Sequence, residues 1–296
     1  YNTLNTNQRI MKKKYPCIVS IAGSDCSGGA GIQADIKTIS ALGGYAATVI
    51  TALTAQNTMG VSGIYPVPSA FVTQQIQAVM EDICPSSMKI GMINHVEIVE
   101  SIAQAINQYH PQHVVLDPVM VSTSGCKLIS DEAITAITRQ LIPITEIITP
   151  NLSETKILTG IHAHDQETMY RAAKILLSQG CKAALIKGGH LEGNRMCDLL
   201  LTQESETPYL FETPKVESKN THGTGCSLSS AIATFLALEN PLPVAVEKAK
   251  EYVYQGIMAG KDVQIGNGHG PLNHFFAPQP CLLYTSPSPR DGLLSR

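Results

Sequence analysis

Apolar positions along the chain fall into two alternating rhythms. Short, nearly continuous apolar runs at Cys17–Ala22, Ala46–Leu53, Met88–Gly91, Val114–Asp117, Ile147–Thr149 and Ala184–Lys187 have the length of buried strands. Longer segments between them carry apolar residues three and four apart. Ala30–Leu42 places Ile32, Ile36, Ile39 and Leu42 on that spacing, and Ser69–Ile83, Val96–Tyr109, Asp131–Leu141 and Gln166–Gln179 repeat it. A hairpin is predicted for Met196–Thr202 with Pro208–Thr213, and helices near Gly225–Ala237 and Leu242–Lys261 close the series. Apolar strands separated by helices predict an α/β domain, with a mostly parallel sheet covered on both faces. In such sheets ligands bind outside the carboxyl ends of the strands.

Composition narrows the class. With 44% apolar and 15% charged residues over 296 positions, the chain is neither disordered nor fibrous. Lys and Arg number 21 against 24 Asp and Glu, so the basic surplus of a nucleic-acid binder is missing. No apolar run approaches the ~20 residues of a membrane span. The basic head at Met11–Tyr15 is followed only by the short run Cys17–Gly23, which reads as a first strand rather than a signal peptide. No linker or repeat divides Met11–Pro278, so one domain is expected there. Residues 1–10 are expected to be a disordered upstream extension, and residues 279–296, rich in Pro and Ser, a disordered, adapter-like tail. Setting aside Arg9, Arg290, Arg296 and Asp291 leaves a mildly acidic core of 18 basic and 23 acidic residues. Apart from Cys281, seven cysteines are scattered without a CxxC pair. Reduced thiols in the cytoplasm are therefore expected, not disulfides or a zinc site.

Four groups of residues carry candidate chemistry. Gly23–Asp35 is a glycine-rich turn between the first strand and helix, with Asp25 and Asp35 as polar partners. Gly29, Gly31 and Ala34 match a dinucleotide fingerprint, but no Asp or Glu occurs between Asp35 and Glu81 to hold a ribose. No Gly-Lys-Ser/Thr of a P-loop follows either, and taken alone the segment reads as a tight turn with a helix cap. Asn220–Leu228 places Gly223, Thr224, Gly225 and Cys226 on the threshold of a helix of small residues. Free amides and the helix dipole make that threshold an anion site, and the dipole is expected to lower the Cys226 pKa. Asp117, Asn151, Glu154 and Lys187 sit at or just beyond three successive strand ends. Each has a bland reading as a cap or a solvated helix position. Together they look like an NTP·Mg²⁺ site, with Asp117 and Glu154 holding Mg²⁺ through waters and Lys187 meeting a phosphate. Gln56, after the second strand, offers a donor and acceptors suited to an aminopyrimidine edge, and Met92 an adaptable apolar surface for its ring.

The segments SIAGSDCSGGAGIQADIKT, ITALTAQNTMGV, KIGM, VVLDPVM, ITPNLSE, IKGGH and KNTHGTGCSLS, in this order, resemble the hydroxymethylpyrimidine/phosphomethylpyrimidine kinases of thiamine biosynthesis over about Met11–Phe276. The resemblance implies a ribokinase-like three-layer α/β/α sandwich without a large lid domain, typically a cytoplasmic homodimer. It also implies ATP-dependent phosphorylation of 4-amino-5-hydroxymethyl-2-methylpyrimidine and then of its monophosphate. Under it, Gln56 binds the pyrimidine edge while Gly23, Asp35, Met92 and Val119 line the same pocket. Gly223, Thr224, Gly225 and Cys226 surround the transferring phosphoryl group, with Cys226 as proton acceptor or as a group that positions the hydroxyl. Lys187 and Asn151 face ATP, Asp117 and Glu154 support Mg²⁺, and residues 121–126 correspond to a flap. A pyridoxine/pyridoxal kinase is the near alternative, and a non-catalytic nucleotide or vitamin sensor the remote one.

Overall fold

The computed structural model describes residues 12–120, 128–190, 195–280 and 284–286. Its strands are β1 (Lys12–Lys14), β2 (Cys17–Asp25), β3 (Tyr45–Asn57), β4 (Gly60–Pro66), β5 (Ser87–Ile90), β6 (His113–Leu116), β7 (Ile147–Ile148), β8 (Ala183–His190), β9 (Arg195–Thr202), β10 (Ser205–Pro214) and β11 (Tyr284–Ser286). The helices are α1 (Gly31–Ala41), α2 (Ser69–Asp82), α3 (Val96–Tyr109), α4 (Asp131–Ala136), α5 (Leu152–Thr159), α6 (Gln166–Ser178), α7 (Thr224–Ala237) and α8 (Leu242–Gly260). Nine strands form one sheet in the order β10-β9-β8-β7-β6-β5-β2-β3-β4. Its six central strands run parallel, and the antiparallel hairpin partners β4, β9 and β10 close the two sides.

Period-two alternation divides the central strands between two cores. Val19 and Ile21 of β2 pack with Met88, Ile90, Val114 and Leu116 beneath α2, α3, α4 and α6. Ile18, Val115, Ile147 and Leu185 turn the other way and pack under α1, α7 and α8. The result is the expected three-layer α/β/α sandwich. Successive strand ends are stitched in register: the Asp117 amide donates to the Ile90 carbonyl, Thr149 to Leu116 and Lys187 to Pro150. These bonds put the residues after β5, β6 and β7 on one edge with Lys187, which lies within β8 because that strand runs on to His190 rather than ending at the lysine.

Several elements differ from the sequence reading. β3 continues to Asn57, so Gln56 lies in a strand that hairpins into β4 rather than in a following loop. Helix α5 was not expected, and its capping box supplies the local reason for it: the Asn151 side chain accepts from the Glu154 amide, and the Glu154 side chain accepts from the Asn151 amide. The helix beginning at Asp131 widens into a π turn at Ile137–Leu141 and stops at a short 3₁₀ turn containing Pro143. Within the segment read as an unstructured tail, β11 pairs antiparallel with β1. Residues 1–11, 281–283 and 287–296 lie outside the described residues.

Candidate active site

A cleft of about 1010 Å³ opens along the carboxyl ends of the parallel strands. The glycine-rich turn after β2, the ends of β3 and β6–β8, and the start of α7 enclose it. Of the residues singled out in the sequence, Gln56, Gly23, Met92, Val119, Asn151, Lys187, Asp117, Glu154 and the run Gly223–Cys226 all line this one cavity. Asp35 does not.

The two glycine loops are built against each other. Gly223 caps α7 in the left-handed conformation, φ 81°, and a Cβ there would lie 1.8 Å from the Gly29 carbonyl oxygen. A side chain at Gly29 would also collide with His222, at 2.4 Å from Cδ2. The first loop owes its form to Asp25, whose Oδ2 accepts from the Gly29 and Ala30 amides and whose Oδ1 accepts from Ser27. It is the tight turn of the conservative reading, tied by a carboxylate, but without the expected cap: α1 starts after Ala30 with no side-chain cap. No side chain caps α7, and the first amides of a helix have no partner within it. Those amides and the positive helix end make the threshold an anion cradle. A Cβ at Gly225 would lie 3.4 Å from Lys187 Nζ and 3.9 Å from Asp117 Oδ2, so the cradle abuts the charged cluster.

That cluster is desolvated and tightly bonded. Lys187 Nζ donates to Asp117 Oδ1 at 3.0 Å, Thr149 donates to the same oxygen, and Ser229 donates to Oδ2. Burial alone would raise the Asp117 carboxyl, but the Lys187 and Lys89 ammonium groups outweigh it and hold it below its ordinary value. Glu154 goes the other way. Burial pushes it up to about 7; the Lys187 ammonium pulls against this, Asp117 repulsion adds to it, and the Asn151 amide recovers only a little. A carboxyl half-neutralised beside an ionised one marks a place with room for added positive charge, which fits a hydrated Mg²⁺.

At the opposite end Met92, Leu128 and Ala52 form a small apolar cluster, with Val119 packed against it. Gly23 belongs here because a Cβ would come within 2.4 Å of Met92 Cε. Gln56 stands beside this surface, 3.2 Å from His222 Nε2, and His222 Nε2 is 2.8 Å from Asp25 Oδ2.

Two expectations need correction. Asp35 is fully buried one layer below the cleft, where both its oxygens bind the Lys89 ammonium at 2.8 and 3.0 Å and take hydroxyls from Ser20 and Ser230. It therefore supports the floor and does not line the substrate pocket. Cys226 does begin α7, but its thiol is not acidified. Burial pushes it up to about 11; Lys89 pulls it down, while Asp35 and Asp117 raise it further. A helix end contributes ~0.3–1 kcal/mol, under one pH unit, too little to reverse desolvation. The sequence reading also passed over His222, although it sits in the glycine motif, and Lys89, although a lone Lys in the buried run SMKI is itself a signal. The expected flap at residues 121–126 lies outside the described residues.

A parallel sheet whose strand ends bring a lysine and two carboxylates to a helix start without a side-chain cap has the parts of a small-molecule kinase: positive charge and free amides where a phosphoryl group would pass. A family model for phosphomethylpyrimidine kinase matches residues 25–273, and the chain belongs to that family. It is 45% identical over 258 residues to a hydroxymethylpyrimidine/phosphomethylpyrimidine kinase of Rhizobium meliloti, covering 87% of this chain and 96% of that one. It is also 45% identical to a thiamine biosynthesis bifunctional protein of Geobacter sulfurreducens, where 88% of this chain spans only 52% of the longer protein. The phosphomethylpyrimidine kinase structure from Clostridium difficile superimposes with a TM-score of 0.72 at 42% identity, over 81% of this chain and 99% of that one. A Staphylococcus aureus pyridoxal kinase bound to AMP-PCP and pyridoxal gives 0.81 at 30% identity, over 88% and 94%. None of the described helices is long and apolar enough to cross a membrane.

Proposed function

We propose how this kinase divides its cleft between two substrates. The reaction is that of its family: phosphorylation of hydroxymethylpyrimidine and then of its monophosphate, for thiamine biosynthesis. Gln56 reads the pyrimidine edge, with Met92 and Val119 against the ring and Gly23 leaving room for Met92. The hydroxymethyl oxygen, or the phosphate on it in the second step, points to the cradle formed by Gly223, Thr224, Gly225 and Cys226. ATP occupies the side of the cleft beyond the cradle, toward Asn151 and Lys187. Mg²⁺, when bound, neutralises phosphate oxygens, and Asp117 and Glu154 would hold it through waters. Phosphoryl transfer needs alignment and positive charge more than covalent help. The helix start and Lys187 supply both. Cys226 adjoins the hydroxyl that must lose its proton, and as a neutral thiol it has to be deprotonated before it can accept one.

The observation that carries this reading is the continuity of one cavity from Gln56 to Lys187 through the cradle. The scattered cysteines, without a CxxC pair, support action in the reducing cytoplasm, and the family supports a homodimer. A second reading, pyridoxal phosphorylation, is favoured by the high structural similarity to pyridoxal kinases, whose substrate is another ring with a hydroxymethyl group. Steady-state kinetics of Gln56→Leu test the first reading. The KM for hydroxymethylpyrimidine should rise about tenfold or more while that for ATP stays within about twofold. Unchanged pyrimidine KM would remove Gln56 from the substrate site.

A further inference from the structure

Asp25, His222 and Thr54 surround Gln56 with chemistry that ring binding alone does not use. His222 Nε2 lies 2.8 Å from Asp25 Oδ2 and 3.2 Å from Gln56 Nε2. Thr54 Oγ1 lies 3.2 Å from Gln56 Oε1 and 2.8 Å from the Ser24 carbonyl oxygen. The two ends of a primary amide are isosteric, so the donors and acceptors around them decide which is oxygen.

On one side Asp25 can only accept: its oxygens already take the Ser27, Gly29 and Ala30 amides and the Ser27 hydroxyl, and its carboxyl is brought down to about 2 despite burial. His222 Nε2 must therefore carry a proton and donate it to Asp25. A protonated ring nitrogen keeps no lone pair in the ring plane. The amide end beside it has to be an acceptor, Oε1. On the other side the Thr54 hydroxyl has a single proton, and the 2.8 Å bond to Ser24 uses it. What Thr54 then offers Gln56 is a lone pair, so the facing end has to be Nε2. The two sides constrain the amide independently and agree.

We propose that Asp25, His222 and Thr54 are positioning residues that lock the Gln56 amide with its oxygen toward His222 and its nitrogen toward Thr54, and so decide which ring edge the cleft accepts. The proposal rests on Gln56 being the group that reads the ring. After its neighbours are served, the amide retains one Oε1 lone pair beside one Nε2 proton. With the hydroxymethyl group turned to the cradle, the lock requires a donor on the His222 side of the ring and an acceptor on the Thr54 side. An exocyclic amine next to a ring nitrogen meets that demand. The corresponding lactam, an N–H next to a carbonyl, reverses it in the same pose.

The test compares kcat/KM for the 4-amino substrate and its 4-oxo analogue. The wild type should prefer the amine by about 10³-fold or more. His222→Phe keeps the ring shape but frees the amide to turn, and the preference should fall below about tenfold. His222→Gln restores an N–H toward Asp25 and should recover most of it. Thr54→Val releases the lock from the other side and should also erode it, which gives an answer if the phenylalanine variant does not fold. A folded His222→Phe or Thr54→Val with the wild-type preference would overturn the proposal. So would loss in His222→Phe that His222→Gln does not rescue. Independently of activity, ¹⁵N NMR should show the His222 ring proton on Nε2; the opposite tautomer would overturn the lock. Wild-type protein that phosphorylates neither pyrimidine, while showing the Nε2 proton, would instead sink the substrate reading.

Discussion

If Cys226 accepts the proton of the substrate hydroxyl, its burial must be visible in the pH dependence of turnover. With the thiol pushed up to about 11, the thiolate fraction at about pH 7.5 is on the order of 3 × 10⁻⁴, and each pH unit multiplies it by ten. The logarithm of kcat should then climb with unit slope from neutrality toward about pH 10. Cys226→Ala should abolish that slope and lower kcat by ~10²-fold or more. Both enzymes would be followed by ADP release at saturating ATP and hydroxymethylpyrimidine. Alkylation by iodoacetamide, measured on the free enzyme, should follow the same high titration. A flat profile, with Cys226→Ala within a few-fold of wild type, would refute the base role and leave Cys226 as a residue that positions the hydroxyl. An alkylation midpoint near the ordinary thiol value of about 8.5 would refute the burial argument itself.

Other perturbations test the surroundings. Lys89→Met leaves the Asp35 carboxylate buried without its cation and should cost about 3–5 kcal/mol in urea unfolding, most of it recovered by adding Asp35→Asn; a single-mutant loss under about 1 kcal/mol would contradict the pairing. Gly225→Ala meets no positive-φ strain but places a methyl 3.4 Å from Lys187 Nζ. Its melting temperature should stay near wild type while kcat falls ~10²-fold, and unimpaired turnover would show that nothing passes between cradle and lysine. Burial pushes the His274 imidazole down to about 4. The unfolded chain takes up that proton first as pH falls from about 6.5 to 4, so up to about 3 kcal/mol of stability, complete above that window, is lost across it. His274→Phe should flatten this limb of the pH–stability curve, and an unchanged limb would assign it elsewhere.

What was legible in the chain follows from which interactions are local. Parallel strands buried on both faces must be apolar throughout, so β2, β5, β6 and β8 show themselves as runs. Their alternation with helices fixes the layers, and so the edge where the site had to be. The β3–β4 hairpin escaped because it extends past the buried sheet, where Thr54, Gln56 and Asn57 face partly to solvent and the apolar signal stops. Helix α5 escaped because it is short and held by the capping box at Asn151 and Glu154 rather than by an apolar face. Asp35 was misplaced for a different reason. Its partner Lys89 is 54 residues away, and nothing in the helix sequence says whether its carboxylate faces a ligand or a buried ammonium. Cys226 shows the same limit in energetic form: its position at a helix start can be read from the glycines before it, whereas desolvation by distant elements sets the sign of its shift.

Substrate choice is decided by ADP release with Mg²⁺·ATP, offering hydroxymethylpyrimidine, its monophosphate and pyridoxal in parallel. Turnover of both pyrimidines, with kcat/KM well above that for pyridoxal, is the predicted result; preference for pyridoxal, or silence on all three from folded protein that binds ATP, would contradict it.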